Sequence, residues 1–156
     1  MLIRPIDCYD GAIPSGNSAA VLNLSRLSKI TGDLKFDRKG QEIIRSFGER
    51  ITDNPSSYTF LLLGSESLSG SSTEIVITSN SKGSEIREFI DKINSEFLPN
   101  AVIILNTLDN DDLQKILPYL KEYKTIEGQP AIYICQNFKC ESPLTDLNEA
   151  LNRLIK

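Results

Sequence analysis

"EIVITSNSKGSEIREFIDKINSEFLPNAVIIL" runs from Glu74 to Leu105, and its reading decides the fold class. Glu74–Thr78 is rich in β-branched residues and reads as a strand. "SNSKGSE", Ser79 to Glu85, is a turn that opens a helix. From Ser84 to Phe97, the residues Ile86, Phe89, Ile90, Ile93 and Phe97 recur at helical spacing, which turns all five inward. Ala101–Leu105 is an unbroken apolar run, as in a strand buried on both faces. Strand, helix, strand implies a right-handed crossover between parallel strands.

The pattern continues downstream. "DDLQKILPYL" reads as a helix with acid in its first turn and Pro118 late in it. "AIYIC", Ala131 to Cys135, is a third strand, and "TDLNEALNRLIK" is a closing helix capped by Thr145 or Asp146. The expected class is α/β, with a small three-stranded, mainly parallel sheet flanked by helices. Upstream, "SGSS" at Ser69–Ser72 is a join, and the segment before it is helical. Residues 17–31 carry Ala20, Leu24, Leu27 and Ile30 on one stripe, with Asn17 or Ser18 as cap and Gly32 as stop. Residues 36–52 carry Ile43, Ile44, Phe47 and Ile51 and end at "DNP". Residues 56–68 read as a third short helix, though Tyr58 and Phe60 also suit a strand. The expected organisation is a helical segment, 1–70, and an α/β domain, 71–156.

Composition narrows the function classes. The 156 residues carry a net charge of −4, so an electrostatic hold on nucleic acid or anionic lipid is not expected. No apolar stretch approaches the ~18 residues of a membrane-spanning helix, and the start lacks a signal-peptide core, so the cytoplasm is the expected compartment. Histidine is absent. That removes Ser-His-Asp and Cys-His chemistry and every imidazole ligand, and leaves carboxylate, Tyr, Lys or Cys as acid or base. No metal or cofactor is expected.

Three motifs carry candidate chemistry. "GAIPSGNS", Gly11 to Ser18, has the glycine spacing of a phosphate loop but Asn17 in place of its Lys. Pro14 has no N–H to offer a phosphate, and "IRPIDCYD" is a poor preceding strand. The stretch reads better as a tight turn into a helix, whose N-terminus can hold an anion or a sugar hydroxyl. Tyr9, Asp10, Ser15, Asn17 and Ser18 are therefore the candidate ligand-binding residues. "CQNFKC" places Cys135 and Cys140 where the last strand ends. They are redox or structural thiols, able to form a disulfide, or two small buried hydrophobes; they form neither a redox C-x-x-C nor a zinc set. "LDNDDL", Leu108 to Leu113, suits a helix N-terminus better than a metal.

"YDGAIPSGNSAAVLNLSRLSKITGD" (Tyr9 to Asp33), "LPNAVIIL" (Leu98 to Leu105) and "AIYICQNFKCESPLTDLNEAL" (Ala131 to Leu151) together resemble the YyaL-like family related to spermatogenesis-associated protein 20. The last stretch resembles its Cys-x-x-Phe-x-Cys-x-x-Pro pattern, here Cys135, Phe138, Cys140 and Pro143. The resemblance implies a much longer parent. It would start with a thioredoxin-like domain and continue as an α/α toroid similar to six-hairpin sugar enzymes. It further implies that this chain is the catalytically incomplete C-terminal portion of a thioredoxin-linked or carbohydrate-related enzyme. The first helices would close the toroid, with Tyr9, Asp10, Asn17 and Ser18 on one cavity wall. The partners implied are the upstream domains, or a second copy through the helical face. Two other readings stay open: a self-standing α/β module binding a small ligand at the strand C-terminal ends, and a protein interaction module.

Overall fold

The computed structural model describes residues 6–109, 111–137 and 139–155; Asn110 and Phe138 of the motifs above lie outside the described residues. The chain divides between Ser71 and Ser72 into two compact units.

The first unit is helical. Helix α1 spans Gly16–Thr31, α2 Leu34–Ser46 and α3 Gly48–Asp53. A 3-10 turn, Pro55–Tyr58, leads into α4, Thr59–Ser69, so residues 56–68 are helical rather than a strand. Cys8, Val21, Phe47 and Leu61 form the buried core, with Ile43, Ile44 and Ile51 packed around it. That stripe survives the break at Phe47 because its spacing stays helical on both sides.

Helix α1 departs from the sequence reading. Its buried positions are Ser18, Val21, Ser25, Ser28 and Lys29. Leu27 is 41% exposed, and Ala20, Leu24 and Ile30 are only half-buried. At about 100° per residue, the serine side lies roughly opposite the apolar stripe. The reason is close packing against α4. A Cβ on Gly64 would stand 2.8 Å from Val21 Cγ1 and 3.2 Å from the Leu22 backbone nitrogen. Only small side chains fit such an approach, and the seam is polar: Ser25 Oγ lies 2.9 Å from Ser67 Oγ, which also accepts from Lys29 Nζ at 3.2 Å.

The second unit is a mixed sheet with helices. Its elements are β1 (Thr73–Ser79), α5 (Ser84–Ser95), β2 (Ala101–Thr107), α6 (Asp111–Ile116), a 3-10 turn (Pro118–Glu122), β3 (Ala131–Gln136), β4 (Lys139–Cys140) and α7 (Leu147–Leu154). The strand order is β2-β1-β3-β4. Strands β1 and β2 are parallel, joined through α5. Strand β3 is antiparallel to β1, and β4 is antiparallel to β3. The three-stranded, mainly parallel sheet expected from the sequence is therefore corrected to four mixed strands.

The reversal goes with a broken connection in place of a full crossover helix. A seven-residue strand is roughly 23 Å long. The six residues of α6 rise only about 9 Å before Leu117 and Pro118 break the helix. After that break the chain stays at the end of the sheet where β2 stops, and β3 starts there, with Ala131 opposite Thr78. Side chains of Ile75, Ile77, Ile132 and Ile134 pack with Ile86, Phe89 and Ile93 of α5 and Ala150 of α7. Phe97 is not among them: α5 ends at Ser95, the chain turns extended at Glu96, and Phe97 is 91% exposed.

Candidate functional site

The loop before α1 is built around Asp10. Its Oδ1 accepts from Ser15 N at 2.9 Å, and its Oδ2 accepts from Phe60 N at 2.9 Å and Leu61 N at 3.0 Å. Asp10 N in turn donates to Ser57 O at 2.8 Å. Tyr58, at the start of α4, gives that helix no side-chain cap. Asp10 supplies it from about fifty residues earlier in the chain (|i−j| = 50), where a carboxylate suits the helix dipole. Burial pushes the Asp10 pKa up, but the hydrogen bonds from Ser15, Ser18, Leu61 and Phe60 outweigh it, and the net direction is down.

The other candidates of this loop divide between holding and facing outward. Ser15, not Asn17 or Ser18, caps α1: its Oγ accepts from Ser18 N at 3.1 Å. Ser18 is fully buried, its hydroxyl 2.8 Å from Ser15 Oγ. Asn17 donates through Nδ2 to Asp7 O. Tyr9 is 56% exposed and, with Ile6, Ile13 and Asn17, borders an open concavity of about 770 Å³. The tyrosine ring is thus the part of this set turned toward solvent. The carboxylate of Asp10, with three backbone N–H donors, is a structural anchor.

Cys135 and Cys140 are joined as a disulfide across the β3–β4 pair. Cys135 is buried and Cys140 exposed, so the reading as two buried hydrophobes gives way for Cys140. Cys135 lies at the end of β3, as read from the sequence, but that strand points the other way. Gln136 ends β3 opposite Thr73, where β1 begins. The Cys turn therefore lies at the sheet edge opposite the C-terminal ends of β1 and β2, because β3 runs backwards. A single ligand cleft combining those strand ends with the Cys turn is ruled out. At the C-terminal ends of β1 and β2, Asn106 Nδ2 donates to Leu120 O at 3.1 Å, and Asn106 Oδ1 accepts from Gln114 Nε2 at 3.1 Å.

Sequence reasoning missed the groups around the disulfide. Tyr123 Oη lies 3.3 Å from Cys140 Sγ and 3.9 Å from Cys135 Sγ. Glu74 is 5% exposed, faces Cys135 across the β1–β3 register, and accepts from Ser72 Oγ. Burial, then Tyr123 and Glu74, pushes the Tyr119 phenol up to about 12. Burial, then Glu74 and Tyr133, raises Tyr123 as well. A charged residue inside the apolar "EIVIT" was the one available signal. Among the described residues, no three His, Cys, Asp or Glu side chains converge as metal ligands.

Human spermatogenesis-associated protein 20 is 30% identical over 145 residues, which make up 92% of this chain and 18% of the human protein. The chain is a relative of spermatogenesis-associated protein 20. The rat protein of that name is 29% identical over the same shares, and an uncharacterised Caenorhabditis elegans protein is 28% identical over 94% of the chain and 20% of its own length. The chain thus corresponds to a segment about one fifth the length of spermatogenesis-associated protein 20. No protein-family model and no solved structure matches. No helix among the described residues is long and apolar enough to cross a membrane.

Proposed function

We propose that this chain is the C-terminal segment of a longer protein of the spermatogenesis-associated protein 20 type, and that it works as scaffold rather than as a catalyst. In this reading α1, α2 and α4 complete a larger helical ring. The loop carrying Tyr9 and Asn17 lends part of a polar cavity wall, and the α/β unit is an appendage. The parent's thioredoxin-like and sugar-enzyme-like parts come from other segments. The observation that carries the reading is the rotation of α1. Its serines are buried in its own unit, while Leu27 on the apolar stripe faces outward. Leu62 and Leu63 of α4 are exposed too, as expected of helices that neighbours cover. Asp10 commits its carboxylate to a cap, and the loop's other acid, Asp7, lines the concavity with one carboxylate oxygen accepting from Tyr9 N at 3.0 Å.

The test compares the chain alone with a version extended upstream by helical sequence of the parent. The chain alone binds the apolar dye ANS or self-associates in sedimentation velocity, and the extension suppresses both. Leu27→Lys leaves the unfolding midpoint of the chain alone unchanged and prevents the extension from docking. A lone chain that is monomeric, silent toward ANS and destabilised by Leu27→Lys would overturn the reading. A thermal shift of the lone chain with sugars or sugar phosphates favours the ligand-module alternative.

A further inference from the structure

We propose that Cys135–Cys140 is an exchangeable disulfide that accepts two electrons from a dithiol, with Cys140 Sγ as the sulfur attacked and Tyr123 as the residue that positions and solvates the departing Cys135 sulfur. Three observations on the α/β unit lead there. The bond has an outer and an inner end: Cys140 is exposed and Cys135 is 2% exposed. Access decides which sulfur an external thiolate reaches.

The hairpin is held without the disulfide. Glu141 N donates to Ile134 O at 3.1 Å, and the turn residue Asn137 is tied to Ser72 twice, N to O at 3.2 Å and Oδ1 from Ser72 N at 3.1 Å. Asn137 takes φ 51, a left-handed conformation asparagine tolerates. The β3–β4 register pairs Cys135 with Cys140, so two reduced thiols would stay neighbours and re-form the bond without a loop-closure search.

A hydrogen-bond donor stands over both sulfurs. Tyr123 Oη reaches each of them, and its raised pKa keeps the phenol protonated at neutral pH. The ring is fixed edge-to-face on Tyr133, centroids 4.8 Å apart, and Tyr133 Oη donates to Lys124 O at 2.8 Å.

The chemistry balances as follows. A thiolate of the dithiol attacks Cys140 Sγ. The Sγ–Sγ bond breaks, and its electron pair leaves on Cys135 Sγ, which Tyr123 Oη solvates. The dithiol's second thiolate attacks its own sulfur bonded to Cys140, closes the dithiol's disulfide and releases Cys140 Sγ. Two electrons pass to the protein, and the two protons of the dithiol end on Cys135 and Cys140.

The test uses the full chain and dithiothreitol as the dithiol. Native chain without denaturant should yield two new alkylatable thiols, mapped to Cys135 and Cys140. Oxidised dithiothreitol should restore the disulfide, and far-ultraviolet circular dichroism should not change. Cys135→Ser with oxidised glutathione should form a mixed disulfide on Cys140, and Cys140→Ser should form none on Cys135. Tyr123→Phe should slow native reduction by about tenfold, the factor of one charge-assisted hydrogen bond. Reduction that proceeds only as fast as urea unfolds the wild type would overturn the proposal, as would glutathione on Cys135 or an unchanged rate in a folded Tyr123→Phe. The urea dependence needs no variant, so it decides even if Tyr123→Phe does not fold.

Discussion

At the scale of single residues, Asp10 shows how a site-like residue can be an architectural one. An acid next to a tyrosine in a Gly-Pro-Gly loop has the look of a ligand contact. Its carboxylate instead takes three backbone N–H groups, two of them at the start of α4. Asp10→Asn should cost about 1–2 kcal/mol at neutral pH, read from urea midpoints, since it removes a charged cap. The folded pKa of Asp10 is lowered, so its contribution is complete above the usual carboxylate pKa of about 4 and is lost as pH falls through the lower folded value. The gap between wild type and Asp10→Asn should therefore close in acid; a gap constant with pH would mean that the charge is not what stabilises.

At the scale of elements, two close approaches set the architecture. The first is α1 on α4 at Gly64. Gly64→Val places methyls against Val21 and the Leu22 backbone and should destabilise the helical unit by about 2 kcal/mol in denaturant unfolding, despite valine's better helix propensity than glycine. The second is the β3–β4 hairpin. Its disulfide spans a sequence separation of only 5, so in the chain-entropy account it contributes no more than about 2 kcal/mol. Cys135→Ser with Cys140→Ser should lower the unfolding free energy by that much or less and keep the fold. A larger loss would show that the hairpin hydrogen bonds do not suffice.

At the scale of the whole molecule, the sequence was most legible where period and burial coincide. The β1-α5-β2 unit, the inward stripe of Ile86, Phe89, Ile90 and Ile93, and the α2–α3 stripe through Phe47 all follow from spacing. It was least legible where a polar face is the buried one. Nothing in the period of α1 says that Ser18, Ser25 and Ser28 go inside, because that depends on how near Gly64 lets α4 come. The bonding of the candidate loop was not legible: Asp10 needs α4, fifty positions away, to show its partners. Likewise Tyr123 meets Cys140 only through folding, at a separation of 17 residues. By itself the sequence determined an α/β chain without imidazole chemistry, its element types, and its kinship to spermatogenesis-associated protein 20, since these reside in local pattern and residue order. Tertiary structure alone decided the direction of β3, which face of α1 is buried and which acid is a cap. Those outcomes depend on distances between segments far apart in the chain, which no local period encodes.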